Sequence, residues 1–471
     1  MKTPVFDALK NLMKENSVSF HMPGHKGKNT SFNWGDYIPM IDTTETFGMD
    51  NLLDPEGIIL ESQKETARIF GAKYTQYCPN GSTGSIYIAL SAITKPGDTV
   101  IVQRNCHKSV YNSMILNRLD PIYVFPNYNE KYKVLTGVDP AEIERLLSEN
   151  PQTKAVVITH PNYYGVVSNL PEIAKIVHAH GKVLMVDEAH GPHMGFSKNL
   201  PPSALSCGAD IVIQSVHKTL PSLTSTSYIH VGTDRIDLNK LMDRFQLYIT
   251  TSPSYLLTTS CEMAAAYMDT DEAKERLEKN IALCNKTIER LNNIDKVFCF
   301  TGDPEDKTIM AKDNTKMLFK IKNMKGTTLK KLLYKDFNIR LEMTDYYYAL
   351  ALSSLMNDEE DYDRLVDAAN ELSKRNIVEE IANVEVNLDE PNNVRPISDS
   401  YMGKKELVYL KDSVGRISAT SIIPYPPGVP LIVPGEVITK ELYEEIVFLQ
   451  ENEITIVGMM GEKDDQLVVV E

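Results

Sequence analysis

The chain has 471 residues, 42% apolar and 24% charged, with a net charge of −15. That length buries a large core and suggests two to four domains. The acidic balance leaves no basic surplus to neutralise phosphates, which argues against a general nucleic-acid binder.

Taken from the N-terminus, the first segment has no signal-peptide apolar core. Val5, Phe6, Leu9, Leu12 and Met13 instead mark one face of an amphipathic helix. No apolar run approaches the roughly 20 residues that cross a bilayer. Cys78, Cys106, Cys207, Cys261, Cys284 and Cys299 show neither CxxC nor metal-ligand spacing. They read as free thiols, so a cytoplasmic protein away from the membrane is expected.

From about residue 70 to 230, short β-branched runs alternate with helical stretches. Thr99–Val102, Ala155–Thr159, Val183–Val186 and Ile211–Ile213 read as strands buried on both faces. The helix expected over Pro171–His180 lies between the second and third. Such βαβ units predict an open, mostly parallel sheet with helices on both faces. Ligands in these sheets sit beyond the carboxyl ends of the strands.

The chemistry-bearing residues fall at those ends. Asn80-Gly81-Ser82-Thr83-Gly84-Ser85 precedes a helix with Ile86, Ala89, Leu90 and Ile93 inward. Its start presents N–H groups and a dipole end to an anion, or is an ordinary N-cap. His107 follows the Thr99–Val102 run, where an imidazole either stacks on a flat ring or is structural. Asp187 ends the next-but-one run, and Ser215-Val216-His217-Lys218 follows the last. A lysine for a Schiff base and an acid facing a pyridine nitrogen suit pyridoxal 5′-phosphate. Ser215 offers that phosphate another hydroxyl.

Competing readings use the same letters. Asp187-Glu188-Ala189-His190 also matches a helicase motif, but the Gly-Lys pairs at 27–28, 181–182 and 403–404 lack the rest of a phosphate loop. Asp187, Glu188, His190 and His193 match no zinc spacing, so no metal is expected. Beyond residue 270, helices over Asp271–Asn293 and Asp358–Arg375 suggest a smaller α/β domain. A late strand is expected at Ile454–Val457.

Longer motifs carry a resemblance. HMPGHKG (21–27), RNCHKSV (104–110), DEAHGPHMGF (187–196), SVHKTL (215–220), TTSPSYLL (250–257) and YPPGVPLIVPGE (425–436) resemble the bacterial ornithine/lysine/arginine decarboxylases. The likeness is to their short form, near the biosynthetic arginine decarboxylases. It implies the aspartate-aminotransferase-like, pyridoxal-phosphate-dependent fold type I. The expected division is an N-terminal helical arm (1–20), a large cofactor domain (21–270), a small α/β domain (271–386) and a C-terminal domain (387–471).

By the same resemblance, Lys218 is the Schiff-base lysine and Asp187 the partner of the pyridine nitrogen. His107 stacks on the ring, and Ala189 and His190 line its opposite face. Ser82, Thr83, Gly84, Ser215 and His217 surround the phosphate, and Lys218 or His217 returns the proton. Thr250 is assigned to a neighbouring subunit's phosphate in a homodimer or larger assembly, and Glu436 to the substrate's distal cation. The implied reaction is decarboxylation of a basic amino acid, arginine to agmatine first, with lysine or ornithine next. An aminotransferase-type activity and a catalytically silent regulatory protein are the alternatives. Three positions depart from the family pattern: Leu53 for His, Ser225 for Gln and Thr420 for Glu.

Overall fold

The computed structural model describes residues 14, 17–30, 42–46, 48–382, 393–425 and 429–471. The helix expected on Val5–Met13 lies outside them. Val18–Phe20, within the expected helical arm, is a strand and pairs in parallel with Ile339–Leu341. Alternation explains this: Val18 and Phe20 point into the smaller core while Ser19 does not.

The main sheet has seven strands. In chain order they are β1 (Tyr74–Cys78), β2 (Thr99–Gln103), β3 (Asp120–Val124), β4 (Ala155–Thr159), β5 (Val183–Asp187), β6 (Ile211–Gln214) and β7 (Ser227–Val231). Their spatial order is β1-β7-β6-β5-β4-β2-β3. Every pairing from β6 to β3 is parallel, and only β7 runs against its neighbours. The four strands read from sequence are present. β1, β3 and β7 were not singled out, because their mixed polar letters (Gln76, Asp120, His230) blur the apolar run.

The two faces sort by parity. Ile101, Val156, Leu184 and Val212 pack on one face with the helix Leu170–Ala179. Val100, Val102, Val157, Met185, Ile211 and Ile213 pack on the other, with α1 (Gly81–Ile93). The two-residue period therefore sends Asp187, like Met185, to the α1 face. Thr159, Asp187 and Ile213 stand side by side in register at the carboxyl ends.

After β2, α2 (Lys108–Asn117) begins at His107, and after β6 comes the short α3 (Val216–Thr219). The long α4 (Asp271–Asn292) leads to a second sheet. Its strands are β8 (Val297–Phe300), β9 (Lys316–Ile321), β10 (Met343–Thr344) and β11 (Ala349–Leu352), in the order β8-β9-β11-β10. Here α5 (Glu359–Lys374) supplies Leu365, Ala369 and Leu372 to the core. The C-terminal region pairs β12 (Lys405–Tyr409) with β13 (Gln466–Val470) and has its own cluster around Ile422, Ile446 and Leu467. The late strand is Thr455–Val457. Among the described residues, no helix is long and apolar enough to cross a membrane, and no group of His, Cys, Asp or Glu is arranged to hold a metal ion.

Candidate active site

The carboxyl ends of β4 and β5 and the starts of α1, α2 and α3 converge on a small cavity. Ser82, His107, Thr159, Pro161, Tyr163, Asp187, Ala189, His190 and Lys218 line it. Six of these, Ser82, His107, Asp187, Ala189, His190 and Lys218, were expected from sequence. Thr159, Pro161 and Tyr163 were not, although Thr159 ends an apolar run and was open to the same strand-end argument as Asp187.

Lys218 sits on α3 with its Nζ 2.9 Å from His190 Nε2. Burial lowers its proton affinity, and the Asp187 charge partly restores it. A desolvated amine of this kind is a better nucleophile at neutral pH than a solvated one. Asp187 is buried, and its Oδ1 accepts the Ala189 N–H at 3.1 Å. Burial pushes its carboxyl upward, while Lys218 and that N–H pull it back.

The imidazoles are neutral. Burial, then the charges of Lys218 and Lys108, lowers His107 to about 3. Its Nδ1 caps α2 by accepting the Ser109 N–H at 3.2 Å. Burial also holds His190 well below its ordinary value, and Tyr163 meets that ring edge-on at 5.2 Å between centroids. His217 is lowered to about 4, chiefly by burial, and its Nδ1 donates to Thr226 O at 3.1 Å. Ser215 is fully buried beside it, with Oγ 3.4 Å from His217 Nδ1.

At the start of α1 the Asn80 side chain makes no cap hydrogen bond. The first N–H groups of a helix have no intrahelical partner, so beyond Gly81, whose N–H the Ser225 carbonyl takes, this end can meet an anion. Ser82 is half-buried, Thr83 exposed and Gly84 buried. A Cβ on Gly84 would lie 2.6 Å from Asn80 Cβ, so a larger residue would distort the loop. The three departures from the family pattern lie near this end or further away. Ser225 takes a left-handed φ of 75°, and its carbonyl accepts the Gly81 N–H at 2.7 Å. Leu53 packs on the main core, and Thr420 N bonds to Ser418 Oγ at 3.4 Å.

These residues fit pyridoxal phosphate. A half-buried lysine and a buried acid face one cavity, and an uncapped helix start stands beside it. Thr159 Oγ1 and His190 Nδ1 are buried polar atoms without a hydrogen-bond partner, the kind of group a ligand satisfies.

Six expected site residues do not line the cavity: Thr83, Gly84, Ser215 and His217 lie on the adjoining starts of α1 and α3, and Thr250 and Glu436 lie away from it. Thr250 is exposed, and its Oγ1 accepts the Ser252 N–H. Glu436 is buried with both oxygens engaged: Arg104 Nη1 and Nη2 donate at 2.7 and 2.9 Å, and Val433 N–H at 2.9 Å. That pairing occupies the carboxylate, so within this chain Glu436 anchors Arg104 rather than facing a substrate cation.

Similarity to known proteins agrees with this geometry. The family described as Orn/Lys/Arg decarboxylase, major domain, matches residues 3–326, and its C-terminal domain matches residues 392–458. Arginine decarboxylase of Bacillus subtilis (strain 168) is 32% identical over 100% of this chain and 97% of its own. The inducible lysine decarboxylase of Escherichia coli (strain K12) is 27% identical, covering 95% of this chain and 76% of its own. In fold, lysine decarboxylase A from Pseudomonas aeruginosa superposes with a TM-score of 0.79 at 20% identity, over 99% of this chain and 80% of that one. The architecture is the α/β fold type I of pyridoxal-phosphate-dependent enzymes. With the lysine, acid and open helix end in place, the chain belongs to the Orn/Lys/Arg decarboxylase family.

Proposed function

We propose that the protein binds pyridoxal 5′-phosphate and decarboxylates a basic amino acid, arginine to agmatine and carbon dioxide. The observation that carries this reading is the desolvated Lys218 amine sharing one buried cavity with Asp187. Full-length similarity to arginine decarboxylases supports arginine.

When bound, the cofactor supplies an aldehyde for the lysine and a ring that takes up the electron pair left by carbon dioxide. The chain's own groups do the rest. Asp187 would hold a proton on the cofactor's pyridine nitrogen, because an ion pair in a buried site is far stronger than in water. Neutral His107 offers a flat face without adding a competing positive charge. The α1 start, with Ser82, Thr83 and Gly84, and the α3 region, with Ser215 and His217, would hold the phosphate. Ala189 and His190 would line the ring. Lys218 Nζ returns a proton to the substrate α-carbon, with His217 as the alternative donor.

Thr250, exposed in this chain, is placed on a second copy's phosphate in a homodimer. The division proposed is a large domain to residue 270, a small one to 386 and a C-terminal one beyond. A cytoplasmic location belongs to the same reading.

The test supplies pyridoxal phosphate and offers arginine, lysine and ornithine separately, measuring carbon dioxide and the amine product. Carbon dioxide with agmatine, at the highest kcat/KM of the three, is expected. Keto-acid formation without carbon dioxide would replace decarboxylation by transamination. No product from any of the three would overturn the reading.

A further inference from the structure

Behind the cavity lies an ion pair that the reaction above does not use. Lys316 and Asp313 are both wholly inaccessible to solvent, with Nζ to Oδ2 at 2.6 Å. Asp313 stands on the turn after a two-residue strand, Ala311–Lys312, and Lys316 opens β9. That short strand pairs antiparallel with Val166–Val167, which follows β4. The turn is thus fastened to the smaller sheet through β9 and to the segment after β4 through that pairing.

The pair reaches the loop after β5 at two points. Lys316 Nζ donates to the His190 carbonyl at 2.9 Å. His193 Nε2 donates to Asp313 Oδ2 at 3.1 Å. The His190–His193 loop is therefore pinned at both ends by one charge pair. Asp313 keeps its charge: burial alone would push its carboxyl up, but Lys316 and His193 hold it well below the usual range.

His190 needs such an anchor. An imidazole is usually oriented by a hydrogen bond on its second nitrogen. Here Nδ1 has no partner within the chain, while Nε2 faces Lys218 Nζ. Ring placement then falls to the Tyr163 edge contact and to the backbone that Lys316 holds. A buried ion pair is also a costly substitute for well-packed apolar residues, so fold stability alone is a weak reason for this one.

We propose that Asp313 and Lys316 form a positioning pair, which holds the His190 carbonyl and so keeps the His190 imidazole against the Lys218 amine. This rests on the reading of Lys218 as the cofactor lysine.

The test is the double variant Asp313→Asn/Lys316→Met, which removes both charges together and strands neither. His193→Gln, which frees only the far end of the loop, is the second variant. Two readouts need no turnover. One is the affinity for pyridoxamine 5′-phosphate, which has no aldehyde to react. The other is the rate at which pyridoxal phosphate is captured on Lys218. There a C=N bond forms between Nζ and the aldehyde carbon, one water is lost, and borohydride traps the product for mass spectrometry.

Unchanged pyridoxamine phosphate affinity with capture slowed about tenfold, the effect of ~1.4 kcal/mol on a barrier, is expected for the double variant. His193→Gln should slow capture less, with the same unchanged affinity. Adding His190→Ala to the double variant should cost little more, because the residues act through one another. Capture at the wild-type rate by a folded variant would overturn the inference and leave the proposed function standing. So would equal loss of both readouts, which marks a structural role. Absence of capture by the wild-type protein would instead overturn the functional reading and this inference with it.

Discussion

Arg104 and Glu436 meet in a buried, two-pronged ion pair across 332 residues of sequence. Arg104 lies three positions before His107, and its guanidinium also stacks on the Tyr123 ring at 4.7 Å. The C-terminal region thereby holds the loop that presents His107 to the cavity. Removing either partner strands a buried charge. Arg104→Met and Glu436→Leu should each destabilise the fold by about 3–5 kcal/mol, and the double variant should recover most of that loss. Urea melts of the four proteins check the cycle, and additive losses would show that the pair is not coupled.

Asp187→Asn should keep the fold, because the site already disfavours a buried carboxylate and the amide is nearly isosteric. Its turnover should fall by roughly 2.7–4 kcal/mol of transition-state stabilisation, the scale for losing one preorganised electrostatic contact. Steady-state kinetics beside a thermal melt separate the two effects. Turnover near wild type would remove Asp187 from its assigned role.

Lys218→Ala should melt like the wild type and capture no pyridoxal phosphate at position 218. Mass spectrometry after borohydride reduction reads this directly. Turnover retained by that variant would contradict the assignment of the lysine.

Gly24, in HMPGHKG, donates its N–H to His217 O at 2.6 Å. A Cβ there would stand 2.6 Å from Leu220 O and 2.7 Å from the Thr219 carbonyl carbon. Only glycine lets this segment lie against the backbone that carries Lys218. Gly24→Ala should cost about 1–3 kcal/mol, the usual range for overpacking, and displace α3. A drop in the urea midpoint accompanied by slower cofactor capture is the expected result. A silent substitution would mean that the segment is not tightly held.

Glu188 follows Asp187 and is fully buried, its oxygens accepting from Ala204 N and Gln214 Nε2 at 2.6 Å each. Burial raises its carboxyl to about 8, against the hydrogen bonds that lower it. The folded state therefore binds this proton more tightly than the unfolded chain does. Its contribution is fully present below the unfolded value of 4.5 and is lost as pH rises to about 8. Urea midpoints measured over that window should fall less steeply in Glu188→Gln than in the wild type. Parallel curves would show that Glu188 does not titrate there.

The legible part of this protein is periodic or local. Continuous apolar runs required buried strands, and their parity fixes which face Asp187 takes once the sheet is known. The Ser-x-His-Lys and Asp-Glu-Ala-His motifs sit where such strands end, so the acid and the lysine of the cavity were readable along the chain. Longer motifs carried the family. Strands with mixed polarity, such as β7 with His230, were not readable, because a central position in the sheet rather than their own pattern buries them.

Partner choice across long separations was decided only by the tertiary structure. The resemblance assigns Glu436 to the substrate's distal cation, yet in this chain Arg104 takes it, because a buried carboxylate must find a countercharge wherever the fold supplies one. Tyr163 reaches the cavity through the turn after β4. Asp313 and Lys316 meet the His190–His193 loop from the start of β9 in the smaller sheet. No local pattern encodes these meetings. They arise when two separately patterned sheets pack, and the packing alone determines which charges are paired and which remain free to act.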